Sequence, residues 1–258
     1  MANRKDIIRR RENEVIHEAQ IEGEGSRKKL TFLIIECVVV LVILIGCGLY
    51  WFYEGRNSRD SVSSNSERFE KEYESLNGKN NSYGGTYLEV EIDDENVIHY
   101  SSYEEVFSIL EGKSGVIYFG FPECPWCRNL VPVLLEAATD AGLDTLYYLN
   151  NRSDRDQKSL NDNGKVVVEK DGTEEYYQLV EKLNSVLGEY EGLNDDSIKR
   201  LYFPTVVFVK DGKIVDSHIG TLDSQEDPNV SLTDDQHQEL LELLTSKMLK
   251  VISCSSTC

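Results

Sequence analysis

The stretch GVIYFGF, residues 115–121, leaves few folds open to this chain. It is a continuous apolar run bounded by Gly and Pro, without the polar alternation of a sheet that has one wet face. Such a run reads as a strand buried on both sides. A strand of that kind needs covering layers above and below it, and the neighbouring sequence supplies helical patterns. SYEEVFSILEGKSG has Ser102 as a cap and Val106, Ile109 and Leu110 on one face. PWCRNLVPVLLEAATDAG is a second helix, with a kink expected at Pro132. DTLYYLN, 144–150, reads as another buried strand. TEEYYQLVEKLNSVLG places Tyr176, Val180, Leu183 and Leu187 together and reads as a helix capped by Gly188. PTVVFVKDGKIVDSHIG, 204–220, is a hairpin turning at Asp211-Gly212, and TDDQHQELLELLTSKMLKVI is a last helix with a Thr233–Gln236 capping box. Helices alternating with strands, closed by a hairpin and a helix, imply an α/β fold: a central mixed sheet with helices on both faces.

A second long apolar run, LTFLIIECVVVLVILIGCGLYWFY at residues 30–53, sets the organisation. Glu36 is its one ionisable side chain, near enough to Lys29 to reach the headgroups. At ~1.5 Å per residue the run can cross a ~30 Å hydrocarbon core as a helix. Arg27, Lys28 and Lys29 abut its first end, and Tyr50, Trp51 and Tyr53 suit the far interface. The positive-inside tendency predicts a cytoplasmic tail over 1–29 and an extracytoplasmic remainder. LIGC, ending at Cys47, also looks like a lipoprotein cleavage box, but the leading region is long and the apolar run continues past it. Either form tethers the rest of the chain to a membrane. Residues 54–85, rich in Ser, Asn, Gly and charge, read as a stalk, with a short helix near Phe69–Leu76. The folded domain is expected over 86–258.

Charge narrows the partners. The net charge is −19, and the acid excess lies wholly beyond the apolar run, since residues 1–29 hold eight basic side chains against six acidic. Nucleic acid is disfavoured, because its phosphates call for Lys and Arg.

Cys124 and Cys127 stand two residues apart where the buried strand gives way to a helix. Structural zinc would need four ligands, and His99, His218 and His237 are scattered singly. No metal or cofactor is expected. A staple closing so small a loop would remove little unfolded-state entropy. A thiol at the start of a helix, with Pro125 suited to the first turn, instead faces unpaired N–H groups that lower its pKa. Cys127, one turn further in, is placed to resolve a mixed disulfide. The spacing therefore points to thiol–disulfide exchange.

Strand, C-P-W-C and helix, followed by Pro204-Thr205, Gly212 and Gly220, resemble the thioredoxin superfamily over roughly residues 100–248. That resemblance implies a thioredoxin-like fold, Cys124 as nucleophile, Cys127 as resolving thiol, a cis bond before Pro204, and a Phe203 backbone that pairs with the substrate chain. Trp126 resembles the aromatic found between the cysteines of glutaredoxins. More narrowly, the anchor, the C-P-W-C, FPTVVFVKDGKIV and GTLDSQEDP together look like the thioredoxin-like proteins of Gram-positive bacteria labelled bacteriocin-transport accessory proteins. Three features differ from the superfamily pattern. Tyr118 stands where a buried acid is usual, six residues before the first cysteine. Glu123 stands where Trp is usual, and pointing inward it would raise the Cys124 pKa. An added segment, roughly 151–195, is expected to form a lobe over one edge of the sheet.

Cys254 and Cys258 end the chain as C-x-x-x-C. A terminal staple, an unpaired or intermolecular pair, and a shuttle exchanging with Cys124–Cys127 all remain open for them. Two functions remain open as well. One is a membrane-anchored, extracytoplasmic thiol–disulfide oxidoreductase acting on protein or peptide thiols. The other is a non-enzymatic accessory protein that docks an exported peptide. The oxidoreductase reading leaves the direction of exchange and the redox partner undetermined.

Overall fold

A computed structural model describes residues 41, 43–47, 65–82 and 84–252. The chain divides into two units, Met1–Arg59 and Asp60–Cys258. In the first, Leu41 and Ile43 to Cys47 are helical and exposed. Most of the span expected over 30–53 lies outside the described residues, as do Cys254 and Cys258. Among the described residues no helix is long and apolar enough to cross a membrane.

The second unit is built on a five-stranded mixed sheet. β1 (Ile98–Tyr100) and β2 (Gly115–Phe119) run parallel to β3 (Leu146–Leu149), which lies between them. β2 then pairs antiparallel with β8 (Thr205–Lys210), and β8 with β9 (Lys213–Ile219), giving the order β1-β3-β2-β8-β9. Every residue of β2 is buried, as its unbroken apolar run requires. Between β3 and β8 come a small hairpin, β4 (Gln157–Leu160) with β5 (Val166–Lys170), and a two-residue pair, β6 (Gly188–Glu189) with β7 (Lys199–Arg200).

Alternation along the central strands sorts their side chains into two cores. Val116, Tyr118, Val206 and Phe208 face a helix over residues 65–74, here α1, together with α3 (Pro125–Ala141) and α5 (Asp234–Ile252). Ile117, Phe119, Val207 and Val209 face α2 (Tyr103–Gly112) and α4 (Glu174–Leu183). The helices start where their caps stand. Ser102 and Glu105 form a capping box on α2, and Thr233 and Gln236 exchange the same bonds on α5. The β8–β9 turn places Asp211 and Gly212 at φ 50° and 72°. At Gly212 a Cβ would stand 2.6 Å from the Gly112 nitrogen, so no larger residue fits that approach to α2. Pro132 lies inside α3 without ending it.

Three expectations need correction. The stalk expected over 54–85 is in part folded structure: Ser66, Phe69 and Tyr73, spaced three and four apart on α1, are fully buried against the sheet. The added segment puts α4 on a face of the sheet rather than over its edge, through Tyr176, Leu179 and Leu183. Gly188 caps no helix. α4 ends at Leu183, a 3₁₀ turn follows over Asn184–Val186, and Gly188 begins β6, because the burial of Leu187 and Tyr190 draws the chain into extended pairing.

Candidate active site

Register places the site. Phe119, at the end of β2, pairs with Thr205, at the start of β8, so the chain leaving β2 meets the chain entering β8. Cys124 caps α3 and Pro125 opens it; Cys124 Sγ accepts from the Cys127 N–H at 3.3 Å. The Cys124 thiol points at the Phe203 carbonyl, 3.6 Å away, and the Phe203–Pro204 bond is cis. Gly220, at φ 76°, donates its N–H to the Pro204 carbonyl at 2.9 Å and holds that turn against the end of β9. Four of the expected residues, Cys124, Cys127, Phe203 and Pro204, thus converge, with Trp126 on the open side. Cys124 and Cys127 are both free thiols.

The two thiols differ sharply. Cys124 retains a little exposure, whereas Cys127 has none. A hydrogen bond from the Cys127 thiol lowers the Cys124 pKa; the Cys127 and Trp126 N–H groups and the Arg152 charge add to this against the opposing effect of burial. Burial and the neighbouring Cys124 push Cys127 well up. Of the two, the Cys124 thiol ionises the more readily and the Cys127 thiol is favoured in its neutral form.

Glu123 does not raise the Cys124 pKa in the way its sequence position suggested. It is turned outward, with its carboxylate 3.7 Å from Arg152. Arg152 also lies over the Phe121 ring at 4.3 Å, and Arg155 over the Phe203 ring at 4.4 Å; the two rings meet edge to face at 5.3 Å. Two arginines from the added segment therefore brace the aromatic rim around Cys124. Nothing in their sequence neighbourhood, NRSDRDQ, marks them for this role, since the contact spans about thirty residues or more.

A second unforeseen residue lies behind the pair. Arg128 is buried, and among the described residues no carboxylate lies within hydrogen-bond reach of it. It donates to the carbonyls of Leu88 (2.6 Å), Tyr73 (2.9 Å) and Pro122 (3.2 Å) and to Asn77 Oδ1 (2.5 Å). Asn77 in turn exchanges two bonds with the Val90 backbone. Arg128 thereby fastens the segment after α1 to the helix that carries both cysteines. The Phe69 and Tyr73 pair, four residues apart, was the sequence signal for this packing.

Beside Trp126 and Phe203 opens a cleft of about 810 Å³. Glu189 and Glu191 from the added segment, with Lys199 and Tyr202 just after it, form one wall, and Thr221, Asp223 and Gln225 form the other. The second wall is held by Thr221 donating to Gln225 (2.5 Å), Gln225 donating to the Val230 carbonyl (2.9 Å), and Asn129 of α3 donating to the Pro228 carbonyl (2.8 Å).

No family model matches this chain, and no curated protein matches it either. Among solved structures, thioredoxin O2 from Arabidopsis thaliana in its oxidised state is similar to it at 20% identity, over 48% of this chain and 84% of that one, with a TM-score of 0.29.

Proposed function

We propose that this protein is a thiol–disulfide oxidoreductase. The observation that carries the reading is the Cys124 thiol at a helix N-terminus, 3.6 Å from the carbonyl before a cis-proline, with Cys127 fully buried one turn behind it. The Cys124 thiolate attacks a disulfide R–S–S–R′, forming Cys124–S–S–R and releasing R′–S⁻, which takes a proton. Cys127 then attacks Cys124 Sγ, the bond to R breaks, and R leaves as a thiol. The protein ends as the Cys124–Cys127 disulfide, and the reverse sequence oxidises a dithiol. Phe203 and Trp126 border the position of the substrate chain, and the cleft beside them has room for residues flanking its cysteine.

The apolar run at 30–53 supports a single-pass anchor, with the N-terminus cytoplasmic and the domain outside, where peptide or protein disulfides persist. In this proposal Cys254 and Cys258, which follow the last helix in the sequence, form a secondary disulfide. The carboxylates of Glu189, Glu191 and Asp223, divided between the two walls and outnumbering Lys199, favour a second reading, in which the cleft docks a cationic exported peptide without turnover.

Insulin reduction and refolding of a reduced protein, each with Cys124→Ala as control, separate the two. The oxidoreductase reading expects activity in at least one direction that vanishes in Cys124→Ala; no Cys124-dependent activity in either direction leaves docking. The reduction potential then sets the direction, near about −120 mV for an oxidant and about −270 mV for a reductant.

A further inference from the structure

The connection from β9 to α5, residues 220–233, is long for a loop without helix or strand of its own, a length that goes with disorder or with function. Here it is ordered by side chains whose donors are fixed. Asn129 of α3, buried two residues past Cys127, donates to the Pro228 carbonyl at 2.8 Å and to the Pro125 carbonyl at 3.2 Å. Both partners are carbonyls, so the side chain must present its NH₂ group. The Gln225 NH₂ is likewise committed to the Val230 carbonyl at 2.9 Å, which leaves its oxygen to accept from the Thr221 hydroxyl at 2.5 Å. Thr221 and Gln225 are themselves buried. Gln236 of α5 donates to the Ser224 carbonyl at 3.0 Å, and Leu222 and Leu232 pack on the core beneath α3 and α5.

We propose that this loop makes the cleft a preformed subsite for the residues flanking the cysteine of a polypeptide disulfide, with Asn129 as its positioning residue. The inference rests on the oxidoreductase reading above. Thr221, Leu222, Asp223 and Gln225 line the cleft together with Trp126 and Phe203, and the Phe203 carbonyl faces the Cys124 thiol. Asn129 ties that wall to the Pro125 carbonyl, in the residue next to Cys124, so one side chain sets the wall's place relative to the nucleophile. A substrate chain whose sulfur reaches Cys124 beside Phe203 carries its neighbouring residues over the cleft. A disulfide without a chain has nothing to place there. Holding the wall in advance spares a bound chain the cost of ordering the loop. Without Asn129 the Pro228 carbonyl loses its donor on α3 and that tie to the cysteine helix is gone. The nucleophile itself is left alone, since Cys124 bonds to the Phe203 carbonyl and the Cys127 N–H and not to Asn129.

The test compares two mixed disulfides of 4-thiopyridine in a stopped-flow spectrometer with the full-length reduced protein. One carries a single N-acetylcysteine amide. The other carries the same cysteine in a five-residue peptide, with an arginine on either side to suit the cleft's carboxylates and alanine at both ends. In each, Cys124 attacks the cysteine sulfur and bonds to it. The pyridine sulfur leaves with the electron pair and takes up a proton as coloured 4-thiopyridone.

Wild type is expected to react with the peptide about tenfold faster or more than with the single cysteine. Asn129→Leu is expected to cut that ratio to about threefold or less, while its rate with the single cysteine stays within about twofold of wild type. The substitution changes no charge, so long-range attraction of the arginines is the same in both proteins. Thr221→Val keeps the shape but removes the donor to Gln225, and is expected to lower the ratio a few-fold. Equal rates for the two compounds in the wild type, or an unchanged ratio in Asn129→Leu, would overturn the proposal. If Asn129→Leu does not fold, or loses both rates alike, Thr221→Val decides, and an unchanged ratio there overturns it. If wild type releases thiopyridone from neither compound faster than Cys124→Ala does, the oxidoreductase reading itself fails.

Discussion

The rim around Cys124 and the floor beneath Cys127 lie one helical turn apart and are built on opposite principles. The rim is charged and partly open: Arg152 and Arg155 brace Phe121 and Phe203, and Arg152 takes up Glu123. The floor is sealed, made of Phe69, Tyr73, Tyr118 and Tyr148, and its one buried cation, Arg128, spends its hydrogen bonds on backbone and amide oxygens. Each draws on sequence outside the shared strands and cysteine helix, the rim on Arg152 and Arg155 of the segment after β3 and the floor on Phe69 and Tyr73 of α1. The two thiols shift one another, the Cys127 bond lowering Cys124 and Cys124 raising Cys127, and the surroundings add N–H groups and a nearby charge on one side and burial on the other.

That contrast can be broken at several points. The widest gap should appear in alkylation by iodoacetamide, followed by mass spectrometry of the reduced protein. Cys124 is expected to react more than about a hundredfold faster than Cys127 at pH 7, because only its thiolate is favoured and accessible. The signs are opposite across pH. The Cys124 midpoint lies below that of a free thiol, its N–H donors and Arg152 favouring the anion, and the Cys127 midpoint lies above, burial favouring the neutral form. Equal rates would mean that the two environments do not differ.

Next in size is Arg128→Met. Met keeps apolar bulk but leaves the Leu88, Tyr73 and Pro122 carbonyls without their donor. Denaturant unfolding should show a loss of about 3 kcal/mol. Resolution by Cys127 should suffer more than attack by Cys124, since Arg128 anchors the floor by three bonds and reaches the rim only at the Pro122 carbonyl. A uniform loss of both steps would instead make the two regions one cooperative unit.

The smallest effect is at the rim. Arg152→Ala should move the Cys124 alkylation midpoint upward and slow the reaction at neutral pH about twofold to threefold, as befits a charge half open to solvent. High salt should erase most of the difference between the variant and wild type. An unchanged profile would leave the helix N–H groups and Cys127 as the whole cause of Cys124 activation.

Much of the fold was legible in the residue pattern because local physics wrote it there. GVIYF had to be a covered strand, Ser102 and Thr233 had to start helices, and Asp211-Gly212 had to turn. The placement of Cys124 was legible too, since a C-x-x-C at a strand-to-helix junction sets its first sulfur on free N–H groups however the rest of the chain is arranged. α1 was misjudged because a two-turn apolar stripe amid Ser, Asn and charge looks like a stalk until the surface that buries it is known. Gly188 was misjudged because local capping preference is worth less than burying Leu187 and Tyr190.

The sequence alone thus determined the strands β2, β3, β8 and β9, the starts of α2 to α5 and the place of the cysteine pair at a helix start, all of which depend on neighbours a few residues apart. Only the tertiary structure decided what surrounds the pair. Tyr73 meets Tyr118 across forty-five positions, and Cys124 meets the Phe203 carbonyl across seventy-nine. Contacts of that range leave no period or spacing to read. They follow from strand register and helix packing, which set the environment of each sulfur and with it the chemistry each can perform.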